Sequence, residues 1–394
     1  MAPPRTLVVV LAGGAGSRLE LLTERRAKPA VRFAGTHRLI DFPLSNARNS
    51  GLEDVWVVQQ FHPTSLNVHL ANGRPWDLDR TRGGLLVLEP YQGDEREGWH
   101  AGTADALWRH ARLIAEHRAD VVVVASADAV YRLDYADVVA EHLASGAELT
   151  MVTVQHDGDN TRYGVVETDE GRVTGYALKP DRPATDVVTT EVFIFAPDAL
   201  LAALERVAEQ GEEAMTDLGV ALLPSFVERG VAREHRHTGY WQDVGTVDAY
   251  WRTNLAFASP DAPFDVDDDA WPIVTRGTRR GGVRVSPQGQ VERSLLGAGV
   301  TIEGRVSGSV LGPGVRVGPG AEVIDSVLLD DVVVGAGARV ERAVLDEGAQ
   351  IADGVVVGGP APSGEADDED GITLVGTDAE VRRDLSTGAR HPER

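Results

Sequence analysis

The chain has 394 residues, of which 42% are hydrophobic and 25% charged, a composition typical of a globular protein long enough for two domains. It contains no cysteine, which excludes disulfides, thiolate metal sites and a cysteine nucleophile and fits a reducing compartment, so we expect a cytoplasmic protein. The formal net charge of −23 argues against a nucleic-acid-binding surface, and no apolar run approaches the roughly 20 residues of a membrane span.

The N-terminal stretch Leu7 to Lys28 predicts a buried strand, a glycine turn and a set of cations, in that order. The run that ends at Leu11 is apolar and β-branched, as in a parallel strand covered on both faces. Glycines let backbone N–H groups approach a ligand closely, and they follow the strand at Gly13, Gly14 and Gly16. Cations come next, at Arg18, Arg25, Arg26 and Lys28. This order of features indicates a phosphate site.

The glycine turn does not match the two common nucleotide-binding fingerprints. Leu19 stands where the dinucleotide pattern needs a third glycine, and no Gly-Lys-Ser/Thr follows, which excludes a Walker A loop. A glycine cluster after a strand can also be only a tight turn. The functional alternative is a glycine loop whose cations are Arg18 and Lys28.

Strands alternate with helices through the first two thirds of the chain, which predicts a doubly wound, Rossmann-like parallel sheet. In such sheets the site lies beyond the carboxyl ends of the strands, where the glycine loop and Asp128 fall. Buried strands are predicted at Val55 to Gln60, Leu85 to Leu88 and Val121 to Ala125, with a helix over Thr103 to His117. A mixed extension is predicted at Leu149 to Val154, Gly164 to Glu167, Arg172 to Ala177 and Val187 to Phe195, with helices over Asp198 to Glu209 and Thr216 to Arg229.

The C-terminal third has a different pattern. Ser259 to Asp269 is rich in proline and aspartate, as in an exposed linker. Aliphatic residues then recur every 17 residues, at Val317, Val334 and Ile351, within hexads, which predicts a parallel β-helix rather than a run of short sandwich strands. We therefore expect a first domain at 1–258, a linker at 259–282 and a β-helix with its tail at 283–394. In the tail, we predict a solvated loop at 361–370 and a capping strand at 371–375.

Short motifs spread over nearly the whole chain resemble those of the glucose-1-phosphate adenylyltransferases, also called ADP-glucose pyrophosphorylases. They are LAGGAGSRL, RRAKPAV, RLIDFPLSN, GWHAGTADAL, ASADAVY, LKP and GYWQDVGTVDAYW, in the family's order. The resemblance implies an allosteric homotetramer with a nucleotidyltransferase domain and a left-handed β-helix. It also implies that ATP and a sugar 1-phosphate give ADP-sugar and pyrophosphate with Mg²⁺, in the synthesis of glycogen or a related glucan.

The resemblance also implies roles for individual residues. Arg18 and Lys28 match cations that contact the triphosphate, Asp128 and Asp243 match the metal carboxylates, and Lys179 matches the lysine that holds the sugar phosphate. The positions matched to the nucleotide are Leu11, Gly13, Gly14, Gly16, Gln60, Gly102 and Thr103, and Gly164 is matched to the substrate. Arg25 and Arg26 fall near the family's allosteric site, and plain surface charges are the alternative. The structural alternatives for the others are a helix N-cap or loop for Asp128, a turn for Asp243 and solvated cations for Arg18 and Lys28.

The sequence departs from the family pattern mainly around the sugar. Leu178 replaces a usual glutamate, Thr189-Thr190-Glu191 replaces Ser-Met-Gly, and His100 replaces a frequent tyrosine. Glu191 is a candidate to replace the lost carboxylate. The sugar is thus glucose 1-phosphate or a relative such as an amino sugar phosphate. The alternative is a catalytically weak or inactive regulatory subunit that binds nucleotide or sugar phosphate. A β-helix acyltransferase is disfavoured because 283–359 contains no histidine.

Overall fold

The computed structural model describes residues 3–14, 16–90, 98–360 and 371–392, and these form two compact units. The sheet unit consists of Met1–Gly14 and Phe42–Trp241, and the β-helix unit consists of Ala15–Asp41 and Gln242–Arg394. The segment Ala15–Asp41, which carries the predicted phosphate-binding cations, therefore groups with the β-helix. The predicted boundaries at 258 and 282 follow chain order instead and stay predictions. The predicted solvated loop at 361–370 lies outside the described residues.

The sheet unit is built on a nine-stranded sheet. In chain order its strands β1 to β9 are Thr6–Ala12, Asp54–Gln59, Gly84–Leu88, Val121–Ser126, Leu149–Gln155, Gly164–Asp169, Arg172–Leu178, Val187–Phe195 and Ala232–Arg236. The spatial order is β3-β2-β1-β4-β8-β5-β9-β7-β6. The valine-rich strands β1 and β4 lie at its centre, where both faces of the sheet are covered, and they are almost wholly buried.

The sheet is parallel in one half and mixed in the other. β1 pairs parallel with β2 and β4, and β2 pairs parallel with β3, which confirms the doubly wound arrangement predicted from the sequence. β8 pairs antiparallel with β4 and β5, and β7 pairs antiparallel with β6 and β9. The mixed extension is confirmed as well.

Helices α1 to α8 are Asp41–Asn49, Pro63–Leu70, Thr103–Arg109, Ala111–His117, Tyr135–Ser145, Pro197–Ala208, Leu222–Glu228 and Val247–Ala258. Short 3-10 turns occur at Ser17–Thr23, Lys28–Ala30, Ala71–Trp76, Asn160–Arg162 and Glu212–Met215. Within the described ranges, we find no helix with both the length and the apolar character needed to cross a membrane.

Two predicted helices are shorter in the structure than the sequence pattern suggested. The helix predicted over Thr103 to His117 is two helices, broken at His110, which leaves the helical region at φ −98° and ψ 6°. The helix predicted from Thr216 begins only at Leu222. The reason is that the residues before Leu222 accept a hydrogen bond from the first turn of α3, where the Thr103 N–H donates to the Thr216 carbonyl oxygen (3.3 Å).

His142 on α5 gives a prediction for the acid stability of the sheet unit. Its ring is 3% exposed and its Nδ1 lies 2.9 Å from the Thr150 hydroxyl. Burial lowers the pKa of His142 from 6.5 to about 4, so its contribution to stability is present above pH 6.5 and is lost as the pH falls towards 4. Between pH 7 and 4.5 we expect the wild type to lose about 2 to 3 kcal/mol more unfolding free energy than His142→Gln, measured by urea unfolding. An equal loss in both proteins would contradict this.

The C-terminal part of the β-helix unit is a hexapeptide-repeat β-helix with three parallel sheets, as predicted. The first sheet contains Arg284–Val285, Thr301–Ile302, Arg316–Val317, Val333–Val334, Gln350–Ile351 and Glu380–Val381. The second contains Gln290–Glu292, Arg305–Ser307, Glu322–Ile324, Arg339–Glu341 and Val356–Gly358. The third contains Leu295–Leu296, Val310–Leu311, Val327–Leu328, Ala343–Leu345, Thr373–Val375 and Arg390–His391.

The 17-residue interval predicted from the sequence corresponds to one coil of the β-helix, so residues 17 apart stack on each other. Val317 pairs with Val334, and Val334 with Ile351, so a buried aliphatic column runs along the axis. The preceding coil is shorter, because Ile302 pairs with Val317. The predicted capping strand is instead part of the stack, because Thr373–Val375 lies between Ala343–Leu345 and Arg390–His391.

Candidate active site

Three neighbouring parallel strands of the sheet unit end together, and their ends carry predicted site residues. In the register, Leu11 of β1 is opposite Ser126 of β4, and Ala12 is opposite Gln59 of β2. Gly13 and Gln60 come directly after β1 and β2, and Asp128 comes two residues after the end of β4. The glycine turn, the glutamine and the carboxylate therefore lie at one edge of the sheet, as expected for a ligand site in an open α/β fold.

A cavity of about 360 Å³ opens at this edge. Its lining contains six of the seven residues predicted to bind the nucleotide, namely Leu11, Gly13, Gly14, Gln60, Gly102 and Thr103. The seventh, Gly16, belongs to the β-helix unit. The rest of the lining includes apolar and aromatic residues such as Val58, Phe61 and Ala106. Apolar walls with a few fixed polar groups suit a flat heterocycle such as a purine base.

The polar wall of the cavity is held by a reciprocal pair of hydrogen bonds. The His100 N–H donates to Gln60 Oε1 (2.7 Å), and Gln60 Nε2 donates to the His100 carbonyl oxygen (3.1 Å). Burial lowers the pKa of the His100 ring, nearby Asp105 raises it by a smaller amount, and Arg109 lowers it further, so the ring is neutral at pH 7. The tyrosine-to-histidine departure thus adds no charge to the cavity.

Gly102 is a glycine because the backbone passes too close for any side chain. A Cβ on Gly102 would lie 1.6 Å from the Thr216 carbonyl oxygen. The neighbouring Thr103 donates its N–H to that same oxygen, and its hydroxyl accepts the Leu218 N–H (3.0 Å). Thr216 and Leu218 were not identified from the sequence as part of the site, and no local pattern marks them.

Asp128 lies just past β4, where it is half-buried. The Ser126 hydroxyl donates to Asp128 Oδ1, which orients the carboxylate. The alternative that Asp128 caps a helix is wrong, because Ala129–Tyr131 is a strand. Ser126 is a supporting residue that sequence reasoning missed, and its only signal was its place two residues before the carboxylate.

The residues predicted to bind the sugar lie in the middle of β8, where its register shifts, at the start of β6 and just past the end of β7. Lys179 is exposed, adopts φ 48° and donates its N–H to the Tyr163 oxygen (2.8 Å). Glu191 is exposed at φ 58°, where the register between β8 and β5 shifts. A Cβ on Gly164 would lie 2.7 Å from the hydroxyl oxygen of Tyr176, so that glycine leaves room for the phenol.

Tyr176 and Asp217 are further residues of this region that sequence reasoning missed. Burial raises the pKa of Tyr176 above its usual value, and the carboxylates of Asp217 and Glu191 raise it further. Glu191 is therefore close enough to Tyr176 to act on it electrostatically. The family's glutamate is absent at Leu178, whose side chain packs against Gly219. The polar groups available here thus come from other positions than in the family pattern.

In the β-helix unit, the two predicted cations converge on the second predicted metal carboxylate. Lys28 Nζ lies 3.4 Å from Asp243 Oδ1, and the side chains of Lys28 and Asp243 are 7% and 22% exposed. A Cβ on Gly245 would lie 2.8 Å from Asp243 Oδ2 and 3.2 Å from Arg18 Nη2, so the guanidinium is close to the same carboxylate. Gly16 adopts φ 67°, and a Cβ there would lie 2.9 Å from Lys28 Cβ. Gly16 therefore packs directly on Lys28.

The two arginines predicted near an allosteric site differ in exposure. Arg25 is 62% exposed and pairs with Asp378 (2.9 Å). Arg26 is 6% exposed and pairs with Asp346 (2.6 Å), which is fully buried. The surface-charge alternative fits Arg25 and does not fit Arg26. Contact of either residue with an effector stays a prediction.

Comparisons with known proteins match both parts of the chain. Residues 7–259 match the nucleotidyl transferase family, and residues 283–375 match the GlmU-like C-terminal hexapeptide family. A glucose-1-phosphate adenylyltransferase of Fervidobacterium nodosum is 34% identical, over 96% of this chain and 93% of that protein. The enzymes of that name from Acetivibrio thermocellus and Thermomicrobium roseum are 35% and 39% identical. They align over 82% and 75% of this chain, and over 77% and 69% of their own lengths.

Proposed function

The chain belongs to the glucose-1-phosphate adenylyltransferase family, and from that membership we propose that it forms ADP-sugar and pyrophosphate from ATP and a sugar 1-phosphate. The substrate is glucose 1-phosphate or a close relative, and the product serves the synthesis of glycogen or a related glucan. One observation carries the proposal: six predicted nucleotide-binding residues line one cavity at the sheet edge that also bears Asp128.

In the reaction, a phosphate oxygen of the sugar 1-phosphate attacks the α-phosphorus of ATP in line. A new P–O bond forms there, the bond from the α-phosphorus to the bridging oxygen breaks, and pyrophosphate leaves with that oxygen. No protein nucleophile is needed, so the protein contributes positioning and stabilisation of charge. We assign Arg18 and Lys28 to the triphosphate and Lys179 to the sugar phosphate, because cations oppose the repulsion between two anions and the lysine ammonium is a compact point charge.

Asp128 and Asp243 fit a divalent ion. Both present carboxylate oxygens, which Mg²⁺ prefers, and Mg²⁺ is commonly held in proteins by one or two carboxylates together with phosphate oxygens and water. The Ser126 hydroxyl orients Asp128, and Lys28 and Arg18 lie beside Asp243. When bound, Mg²⁺ would neutralise charge on the phosphates. We assign Asp128 as the first ligand and Asp243 as the second.

The sugar is the least constrained part of the proposal. The Leu178 side chain cannot accept hydrogen bonds from sugar hydroxyls. We assign that task to Glu191, which acts on the half-buried Tyr176 and lies in the middle of β8, where the register shifts. Gly164 leaves the space beside Tyr176. Glucose 1-phosphate remains the first candidate, and an amino sugar 1-phosphate suits the added carboxylate.

The remaining features of the proposal come from family membership. We propose a cytoplasmic homotetramer in which the β-helix mediates assembly and regulation, with Arg25 as the exposed candidate for effector binding. Light scattering of the purified protein checks the mass of the oligomer. A stable monomer would contradict this part of the proposal and leave the reaction untouched.

The test of the reaction is pyrophosphate release by the purified chain with Mg²⁺. ATP, GTP, CTP and UTP are each paired with glucose, glucosamine, mannose and galactose 1-phosphates. We expect release with ATP and one sugar, at least tenfold faster than with the other nucleotides, because a pocket that hydrogen-bonds one base leaves polar groups unpaired with another. If the folded protein binds ATP but releases no pyrophosphate with any sugar, the regulatory-subunit alternative replaces the enzyme.

A further inference from the structure

Lys28 lies between two arginines that are buried against the β-helix. Arg26 precedes it by two residues and Arg32 follows it by four, and their side chains are 6% and 9% exposed. All three belong to the segment Ala15–Asp41 of the β-helix unit. Arginine is almost never so buried unless it is paired, so the partners of these two residues decide how the segment is held.

The first anchor is the pair between Arg26 and Asp346. Arg26 Nη1 donates to Asp346 Oδ1 (2.6 Å), and Arg26 Nη2 lies 3.4 Å from Glu347 Oε2. Asp346 is itself fixed, because its Oδ2 accepts the Thr377 hydroxyl (2.6 Å) and its Oδ1 accepts the Glu347 N–H (2.7 Å). The guanidinium of Arg26 is therefore held by a carboxylate that cannot move freely.

The second anchor is Arg32. Its Nη2 donates to Asp330, its Nη1 donates to the Thr36 oxygen (3.0 Å), and its own carbonyl oxygen accepts the Tyr250 hydroxyl. Glu347 lies 3.9 Å from Arg32 Nε as well, so that carboxylate faces both arginines.

The carboxylates of the two anchors occupy one corner of the β-helix. The coils are in register at Leu328 and Leu345, so Asp330 and Glu347, two residues further along each, have equivalent positions in successive coils. Neighbouring coils lie about 4.8 Å apart. The equivalent residues in the two flanking coils are Pro313 and Thr377, so this position is acidic in the two coils that hold the arginines and not in the coil on either side of them.

From this arrangement we infer that Asp346 and Asp330 are positioning residues for the nucleotide reaction, because they hold Arg26 and Arg32 and thereby fix Lys28 between them. The inference rests on the proposed contact of Lys28 with the triphosphate. A displacement of about 1 Å in a positioned group can slow a reaction about a hundredfold, so the anchoring of Lys28 has functional weight. The β-helix thus contributes to the phosphate site in addition to assembly.

The test compares Asp346→Asn with Asp378→Asn. Asp378 lies on the same unit and pairs with Arg25, but both side chains are more than 60% exposed, so its removal controls for loss of a β-helix carboxylate. Titration calorimetry measures the affinity for MgATP and for adenosine, which lacks phosphates. We expect Asp346→Asn to weaken MgATP binding about tenfold and leave adenosine binding unchanged, as when one charged contact to phosphate is lost. Asp378→Asn should match the wild type.

A second comparison separates positioning from simple stabilisation. If Asp346 acts through Lys28, Asp346→Asn should have no further effect on MgATP affinity in a Lys28→Met background. The inference would be overturned if Asp346→Asn lowered the melting temperature but left the MgATP affinity unchanged. It would also be overturned if the substitution weakened adenosine binding as much as MgATP binding, or weakened MgATP binding as much in the Lys28→Met background as in the wild type. If Asp346→Asn does not fold, Asp330→Asn at the more exposed second anchor takes its place with the same criteria. Binding and turnover are measured separately. If the wild-type protein binds MgATP but releases no pyrophosphate, the proposed reaction is overturned, and the binding comparison still tests the role of Asp346.

Discussion

Replacing Asp128 by asparagine is expected to slow pyrophosphate release about 10²- to 10³-fold while leaving the protein folded. Asparagine has nearly the same shape, and its amide oxygen can still accept the Ser126 hydroxyl. What the substitution removes is the negative charge at the end of the central strand β4, which is the property that a divalent ion requires. Because the change is electrostatic and not steric, the rate should fall far more than the stability.

The measurement is the initial rate of pyrophosphate release at saturating ATP and sugar 1-phosphate, with the Mg²⁺ concentration varied. The half-saturating Mg²⁺ concentration should rise in the variant. Asp134→Asn is the matched control, because Asp134 caps α5 by accepting the Ala136 N–H (2.9 Å) and asparagine caps equally well. If Asp128→Asn kept the wild-type rate and Mg²⁺ dependence, Asp128 would be an ordinary loop residue and the metal assignment would fall.

The features that the sequence predicted well are those that local patterns specify. The valine runs at β1 and β4 are buried on both faces, so their composition alone indicates central parallel strands. The 17-residue interval is a direct consequence of coil stacking, so Val317, Val334 and Ile351 indicated a β-helix without any tertiary information. The place of the glycine turn and Asp128 at the sheet edge follows from the predicted parallel strands in the same way, whereas Gln60, Gly102 and Thr103 were identified through the resemblance to the family.

The features that the sequence did not predict depend on partners far away in the chain. Arg26 was assigned to an effector site or the surface, and its burial depends on Asp346, 320 residues later. Neither residue carries a local mark of that pairing. Thr216 is a second case. The helical pattern extends over it, but its carbonyl oxygen accepts the Thr103 N–H at the start of α3, far away in the sequence. A periodic pattern records which face of an element is apolar, and it cannot record which backbone group a distant N–H will need.

The sugar region shows a third kind of difference. The motif comparison identified the loss of a glutamate at Leu178, because a missing carboxylate is visible in an aligned motif. It could not identify Tyr176 and Asp217, since their role depends on how β7 and the turn before α7 pack together. The surroundings of Glu191 therefore depend on residues that only the tertiary structure brings together.

Replacing Gly102 by alanine should have the second large effect, and the reason is steric. The new Cβ would lie 1.6 Å from the Thr216 oxygen, 2.3 Å from its carbonyl carbon and 2.7 Å from its Cα. These are backbone atoms, so no rotamer change relieves the collision, and the start of α3 must move away from residues 216–218. Overpacking of this kind costs about 3 kcal/mol or more of unfolding free energy, and it would displace the wall of the nucleotide cavity. We expect ATP affinity to fall more than tenfold.

Gly14→Ala is the matched variant, because a Cβ at Gly14 meets nothing within 4 Å. Its melting temperature should equal that of the wild type, and any loss of ATP affinity then reports a ligand that approaches the glycine turn. Thermal unfolding and calorimetric ATP titration of both variants therefore separate two roles of glycine at one cavity. If Gly102→Ala unfolded like the wild type, the close packing of α3 on Thr216 would be contradicted. If Gly14→Ala bound ATP as tightly as the wild type, the glycine turn would be a structural turn and the phosphates would be held by the cations alone.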